Sequence, residues 1–279
     1  MRLRLYHHPD GTRVAYREAG TGPGLVLLHS LGLSHREWEP VVEELSHRHR
    51  LVLPDLPLHG DSEDRPAHPY TLAWTADVLG AFLHDVGGPR PLVGGHEMGA
   101  LIAIEATLRG ALTPGRLILM PNPMHRRPQR SALEVAVGAT VRTAVVPGVD
   151  RLLSHAGRLM LRPSLGDRLT VTGNAGARDL VRHAVMDLGG NANRARGWAR
   201  AARGFPHGAR GDLLDRYAEI RAPTLLLWAD EDPRHPLSIA EEALDLLPDA
   251  QLRVLPRTGF LIAYDDPVGV ARELAAFCG

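Results

Sequence analysis

Glu97 stands in the run Val93-Gly94-Gly95-His96-Glu97-Met98-Gly99-Ala100, between an apolar strand-like segment and an apolar helix-like one. Glycines two residues to either side give the chain room for a tight turn, which shows its central side chain to whatever lies above. Desolvation in an apolar pocket favours the protonated form of a carboxylate there. Such a group suits general acid or base work, taking a proton from a carbon beside a carbonyl or returning one. Asp232 and His235 lie three residues apart on a second loop. His235 is a candidate base at the pocket edge or, in the plainer reading, a solvated loop histidine, and Asp232 reads as a hydrogen-bonded carboxylate.

Positioning these groups requires a sheet. Residues 3 to 19 read as a hairpin turning at Asp10 and Gly11, followed by apolar strand runs at 24–29, 50–54, 91–95 and 116–120. Helical patterns at 37–46, 71–86 and 98–108 separate them. The alternation resumes with strands at 223–229 and 251–255 and helices at 237–247 and 267–277. Apolar strands alternating with helices imply an α/β architecture, a mostly parallel sheet with helices on both faces. Between them, residues 124 to 218 carry helical stretches, many Gly and Arg, and no convincing strand. That segment is expected to be an inserted helical cap on a core made of 1–123 and 219–279.

Composition narrows the function. Acidic and basic residues balance at 32 each, so the formal charge is zero and no charged face for nucleic acid or an anionic membrane is expected. Every basic residue is Arg, which excludes Schiff-base chemistry by a lysine. The single cysteine, Cys278, forms no disulfide framework or thiolate metal site, and no histidine spacing resembles one, so no metal or cofactor is expected. No apolar run approaches the roughly 20 residues a membrane helix needs, and the first residues read as a strand rather than a signal peptide. A cytoplasmic protein is the expectation.

Five segments in order resemble those of the α/β-hydrolase fold. His29-Ser30-Leu31-Gly32 resembles the HGxG oxyanion loop, and Asp55-Leu56-Pro57-Leu58-His59-Gly60-Asp61-Ser62 the DLRGHGxS segment. Gly95-His96-Glu97-Met98-Gly99 resembles the GHSMG nucleophile elbow, and Asp230-Glu231-Asp232-Pro233 the segment with the acidic triad member. Thr258-Gly259-Phe260 with Asp265-Asp266-Pro267 resembles the GHxxxxEDP segment that carries the catalytic histidine. The resemblance places Glu97 where Ser, Cys or Asp stands, Phe260 where the histidine stands, and Asp232 as the remaining acid. It implies oxyanion-hole amides at Leu31 and Met98 beside Ser30, and structural parts for His29, His59 and, packed beneath the elbow, His96.

A serine-type route needs a nucleophilic oxygen and an imidazole, and positions 97 and 260 supply neither. A carboxylate nucleophile would still leave an ester needing a base to activate water. The expected function is therefore cofactor-independent proton transfer beside a carbonyl, an epimerase or isomerase acting on a peptide or specialised metabolite held between cap and core. The paired departures resemble the peptide epimerase type of bottromycin biosynthesis, which implies inversion at an aspartate α-carbon. Two alternatives stand beside it. One is a binding protein without catalysis, with Glu97 paired to a cap arginine and Phe260 as pocket wall. The other is a hydrolase with rearranged machinery using His235.

Overall fold

The computed structural model describes residues 1–65, 67–122, 163–189, 194, 197–198, 200–201 and 211–279. Eight strands form one sheet: β1 (Arg2–His7), β2 (Arg13–Ala19), β3 (Gly24–Leu28), β4 (Arg50–Pro54), β5 (Leu92–Gly95), β6 (Arg116–Leu119), β7 (Thr224–Ala229) and β8 (Ala250–Leu255). Their order is β1-β2-β4-β3-β5-β6-β7-β8. The first two pair antiparallel as the expected hairpin, β2 meets β4 antiparallel, and every pairing from β4 to β8 is parallel.

Burial on both faces explains the continuous apolar strands. Val26, Leu28, Val93 and Leu119 face one core with α2 (Leu72–Gly87) and α3 (Met98–Leu108). Leu25, Leu27, Leu53 and Ile118 face the other, with α1 (Glu39–Ser46) and the C-terminal helix Pro267–Cys278. Helix α3 is buried from Met98 to Ala106, which is why its sequence is apolar all round rather than striped.

Two boundaries differ from expectation for local reasons. Glu37 lies in a 3-10 turn, His35–Trp38, and the α-helix starts only at Glu39, with Pro40 in its first turn where a missing N–H costs nothing. A short helix, Ile262–Asp265, follows Phe260 in a stretch to which the sequence pattern assigns no element. In the span expected as cap, a 3-10 turn (Pro163–Arg168) and helices α4 (Ala175–Gly189) and α5 (Gly211–Asp215) are present. His125, His155 and His207 lie outside the described residues, as does most of that span. Among the described residues no helix is long and apolar enough to cross a membrane.

Candidate functional site

Strand β5 ends at Gly95 and α3 begins at Met98, leaving two residues to reverse the chain. Glu97 takes φ 47°, ψ −106°, a conformation an L-residue holds at a cost of roughly 1–3 kcal/mol. Two close approaches enforce it. A Cβ at Gly95 would meet the Ala100 amide nitrogen at 2.5 Å, and one at Gly99 would strike the Leu28 carbonyl oxygen. The Glu97 amide donates to the Pro121 carbonyl at 2.9 Å, which ties the turn to the end of β6.

The Glu97 side chain turns back over the mouth of α3. Its Oε2 accepts the Met98 amide at 2.7 Å and the Leu31 amide at 2.9 Å. These are the two amides expected to hold a substrate oxygen, and here a carboxylate of the protein occupies them. Among the described residues Glu97 is not an isolated carboxylate in an apolar pocket, and its partners there are amides rather than an arginine. The cause is length, because the extra methylene relative to aspartate lets the carboxylate fold back onto its own N+1 amide. Oε1 has no hydrogen-bond partner among the described residues.

Beneath the turn lies a sealed polar layer. Glu37 Oε2 accepts the Ser30 amide at 2.7 Å, and Oε1 accepts the Ser30 hydroxyl at 2.9 Å and pairs with His96 Nδ1. Burial alone would raise the Glu37 carboxyl, but the His96 imidazole and the Ser30 amide outweigh it and hold the carboxyl below its usual range. Ser30 was expected to face substrate; fully buried and committed to Glu37 and His96, it faces away from it. Asp55 fixes the loop from the other side, accepting the His35 amide at 2.7 Å and pairing with its Nδ1 at 2.8 Å. Burial raises that carboxyl too, yet the bonds from His35 bring it to about 2.

His29 and His59 are structural, as expected. His29 Nε2 accepts the Leu56 amide and His59 Nε2 accepts the Gly32 amide, each at 2.9 Å. Burial first, then the neighbouring His29, push His59 down to about 3, so it stays a neutral acceptor that braces the oxyanion loop.

The second carboxylate is not alone. Asp232 Oδ1 accepts the Arg234 amide at 2.9 Å, and Oδ2 lies 2.7 Å from His235 Nδ1. Burial pushes the Asp232 carboxyl up, but the His235 bond and charge, with the Arg234 amide, outweigh it and leave the carboxyl low. His235 is only 5% exposed, which overturns the solvated-loop reading. Trp228 Nε1 donates to its carbonyl at 2.8 Å and folds the loop inward. The spacing of Asp232 and His235 was the available signal. What it lacked was the depth of the loop.

Phe260 sits between the two histidines. Its ring centroid is 4.7 Å from His96 and 5.8 Å from His235, the latter nearly parallel at 28°, and the Arg234 guanidinium lies 5.3 Å over it. The ring is therefore the shared wall of two acid–histidine couples. Its loop is held by Asp265, whose carboxylate accepts the amides of Gly259, Val171 and Thr172 at 2.9–3.0 Å and the Thr172 hydroxyl at 2.6 Å. Sequence reading missed Glu37 and Arg234, since nothing in their spacing points at the site, and placed Asp265 in a motif without giving it a part in holding the loop.

Leu31 is 46% exposed at the rim. Beside it a cavity of about 20 Å³, room for one water, is lined by Leu31, Leu56, His59, Met98, Trp198 and Ala201. Trp198, from the span expected as cap, packs edge-on against His59 at 4.7 Å and shares this cavity's lining with Leu31.

The sequence profile of the Alpha/beta hydrolase family matches residues 25–273. The chain belongs to that family. Among curated relatives of this alpha/beta hydrolase, an uncharacterised protein of Mycobacterium tuberculosis is 24% identical over 276 residues, covering 96% of this chain and 77% of the relative. A 2-hydroxy-6-oxononadienedioate/2-hydroxy-6-oxononatrienedioate hydrolase of Burkholderia vietnamiensis is 26% identical over 264 residues, covering 90% and 86%. Among solved structures, a thermophilic esterase from Thermogutta terrifontis aligns with TM-score 0.78 at 21% identity, covering 100% and 98%. The described residues thus share the alpha/beta hydrolase fold of that structure.

Proposed function

We propose that this alpha/beta hydrolase is a cofactor-independent epimerase or isomerase, moving a proton beside a carbonyl of a peptide or other metabolite without an acyl-enzyme. One observation carries the reading: a single oxygen of Glu97 is held by two amides while the other is left without a partner among the described residues. A carboxylate anchored in this way is a preorganised base, because no side-chain freedom remains to be lost when a C–H group approaches Oε1. The amides serve the base here, so stabilisation of the enolate falls to groups across the site. Phe260, where the family's imidazole stands, supplies no base to activate water on an ester of Glu97. In heavy water, a panel of linear and cyclic peptides and β-keto esters should gain deuterium at one α-carbon, and Glu97→Gln should abolish the exchange. Exchange that survives in Glu97→Gln, or fails throughout the panel, overturns the reading.

A second reading is favoured by the same contacts. A carboxylate on both amides keeps a substrate carbonyl out, as expected of a member of the fold that binds a ligand without transforming it. In that case Glu97→Gln changes affinity and nothing else.

A further inference from the structure

We propose that His235, backed by Asp232, is the acid–base partner of the side chain at position 97, so that an imidazole reaches the site from the β7 loop instead of the β8 loop. The proposal rests on the proton-transfer reading only for the direction of the native proton. Its geometry stands apart from that reading.

Three features carry it. With Nδ1 committed to the Asp232 carboxylate at 2.7 Å, the tautomer is fixed and Nε2 is left as the working atom. The ring is preorganised: the Arg234 amide fixes the carboxylate, the Trp228 indole fixes the His235 backbone, and Phe260 supports one face. Finally, Phe260 occupies the place where the family's imidazole stands and touches both His235 and His96, the residue before Glu97. A buried carboxylate needs a partner, and loop amides alone can supply one; here the partner is an imidazole set against the Phe260 ring, whose other neighbour is His96.

In the native step, Glu97 Oε1 removes a proton from carbon, leaving the electron pair on the substrate as an enolate. The protonated His235 Nε2 then delivers a proton to the other face of that carbon or to the oxygen. One proton leaves and one returns, and solvent resets the two groups.

The couple can be read out with a reporter that needs no native substrate. Glu97→Ser removes the carboxylate from the Leu31 and Met98 amides and places a hydroxyl on the elbow. With p-nitrophenyl acetate, that oxygen attacks the carbonyl carbon and its proton passes to His235 Nε2. p-Nitrophenolate departs with the C–O electron pair, and acetyl remains on position 97. The expected result is acetylation mapped to position 97 by mass spectrometry, slowed about 100-fold when His235→Gln is added. Glutamine keeps a donor for Asp232 and cannot take up a proton, and matched melting curves check the fold. Should Glu97→Ser not fold, Glu97→Cys is read with the same ester. No acetylation at position 97, or a rate indifferent to His235→Gln, overturns the proposal. Failure of deuterium exchange in the unaltered protein overturns the proton-transfer reading alone.

Discussion

Glu37–His96 and Asp232–His235 are both carboxylate–imidazole pairs, both buried, and both in reach of the Phe260 ring. Glu37–His96 lies under the elbow, with Ser30 closing the remaining positions on the acid. Asp232–His235 lies in a loop whose next neighbour, Arg234, extends its guanidinium over the same ring toward the surface. The same chemistry thus serves two ends. Beneath the elbow it supports a turn, and across the Phe260 ring it is proposed to trade protons.

This contrast can be broken by substitution. Glu37→Ala strands His96 and the Ser30 amide in the interior, and should cost about 3–5 kcal/mol in denaturant unfolding. His235→Gln preserves a hydrogen bond and should cost no more than about 1 kcal/mol. Equal costs would mean that both pairs are scaffold. Phe260→Ala removes the wall between them and should cost about 3 kcal/mol, the low end for a ring at the rim of a core. In that variant the loss of deuterium exchange should exceed the loss of stability measured by melting.

Acid sharpens the comparison. Asp55 has a folded value of about 2 against an ordinary 3.8, so its stabilisation is fully present above pH 4 and is lost as pH falls toward 2. The difference amounts to about 2 kcal/mol. Glu37 and Asp232 are also held low, so they act in the same direction. Asp55→Asn should flatten that part of a pH–stability curve, while Asp232→Asn should leave most of it and remove the site's chemistry. The smallest effect is expected at Leu31. Its side chain is half-exposed at the cavity rim, so Leu31→Ala should change stability by no more than about 0.5 kcal/mol in denaturant unfolding.

The sheet was legible in the sequence because its signal is periodic. Strands buried on both faces read as unbroken apolar runs, and Thr71, which caps α2, marked that helix to within a residue. The elbow was legible because Gly95 and Gly99 are demanded by sterics on either side of it. Contacts made between distant loops were not. Glu37 reaches His96 across 59 positions, and Glu97 reaches the Leu31 amide across 66. Neither pairing leaves a periodic trace. His235 shows the limit most clearly: its spacing from Asp232 was visible, but its burial depends on Trp228 drawing the loop inward, a tertiary event.

The tight fit around Gly95 and Gly99 has a consequence for how the protein can be altered. The backbone at position 97 is held by its neighbours and by the Pro121 carbonyl, so its geometry does not depend on which side chain stands there. Position 97 is in that sense a socket. A library that varies this one residue would change the reaction while leaving the mount untouched, whereas a single methyl group added at 95 or 99 would dismantle the mount itself.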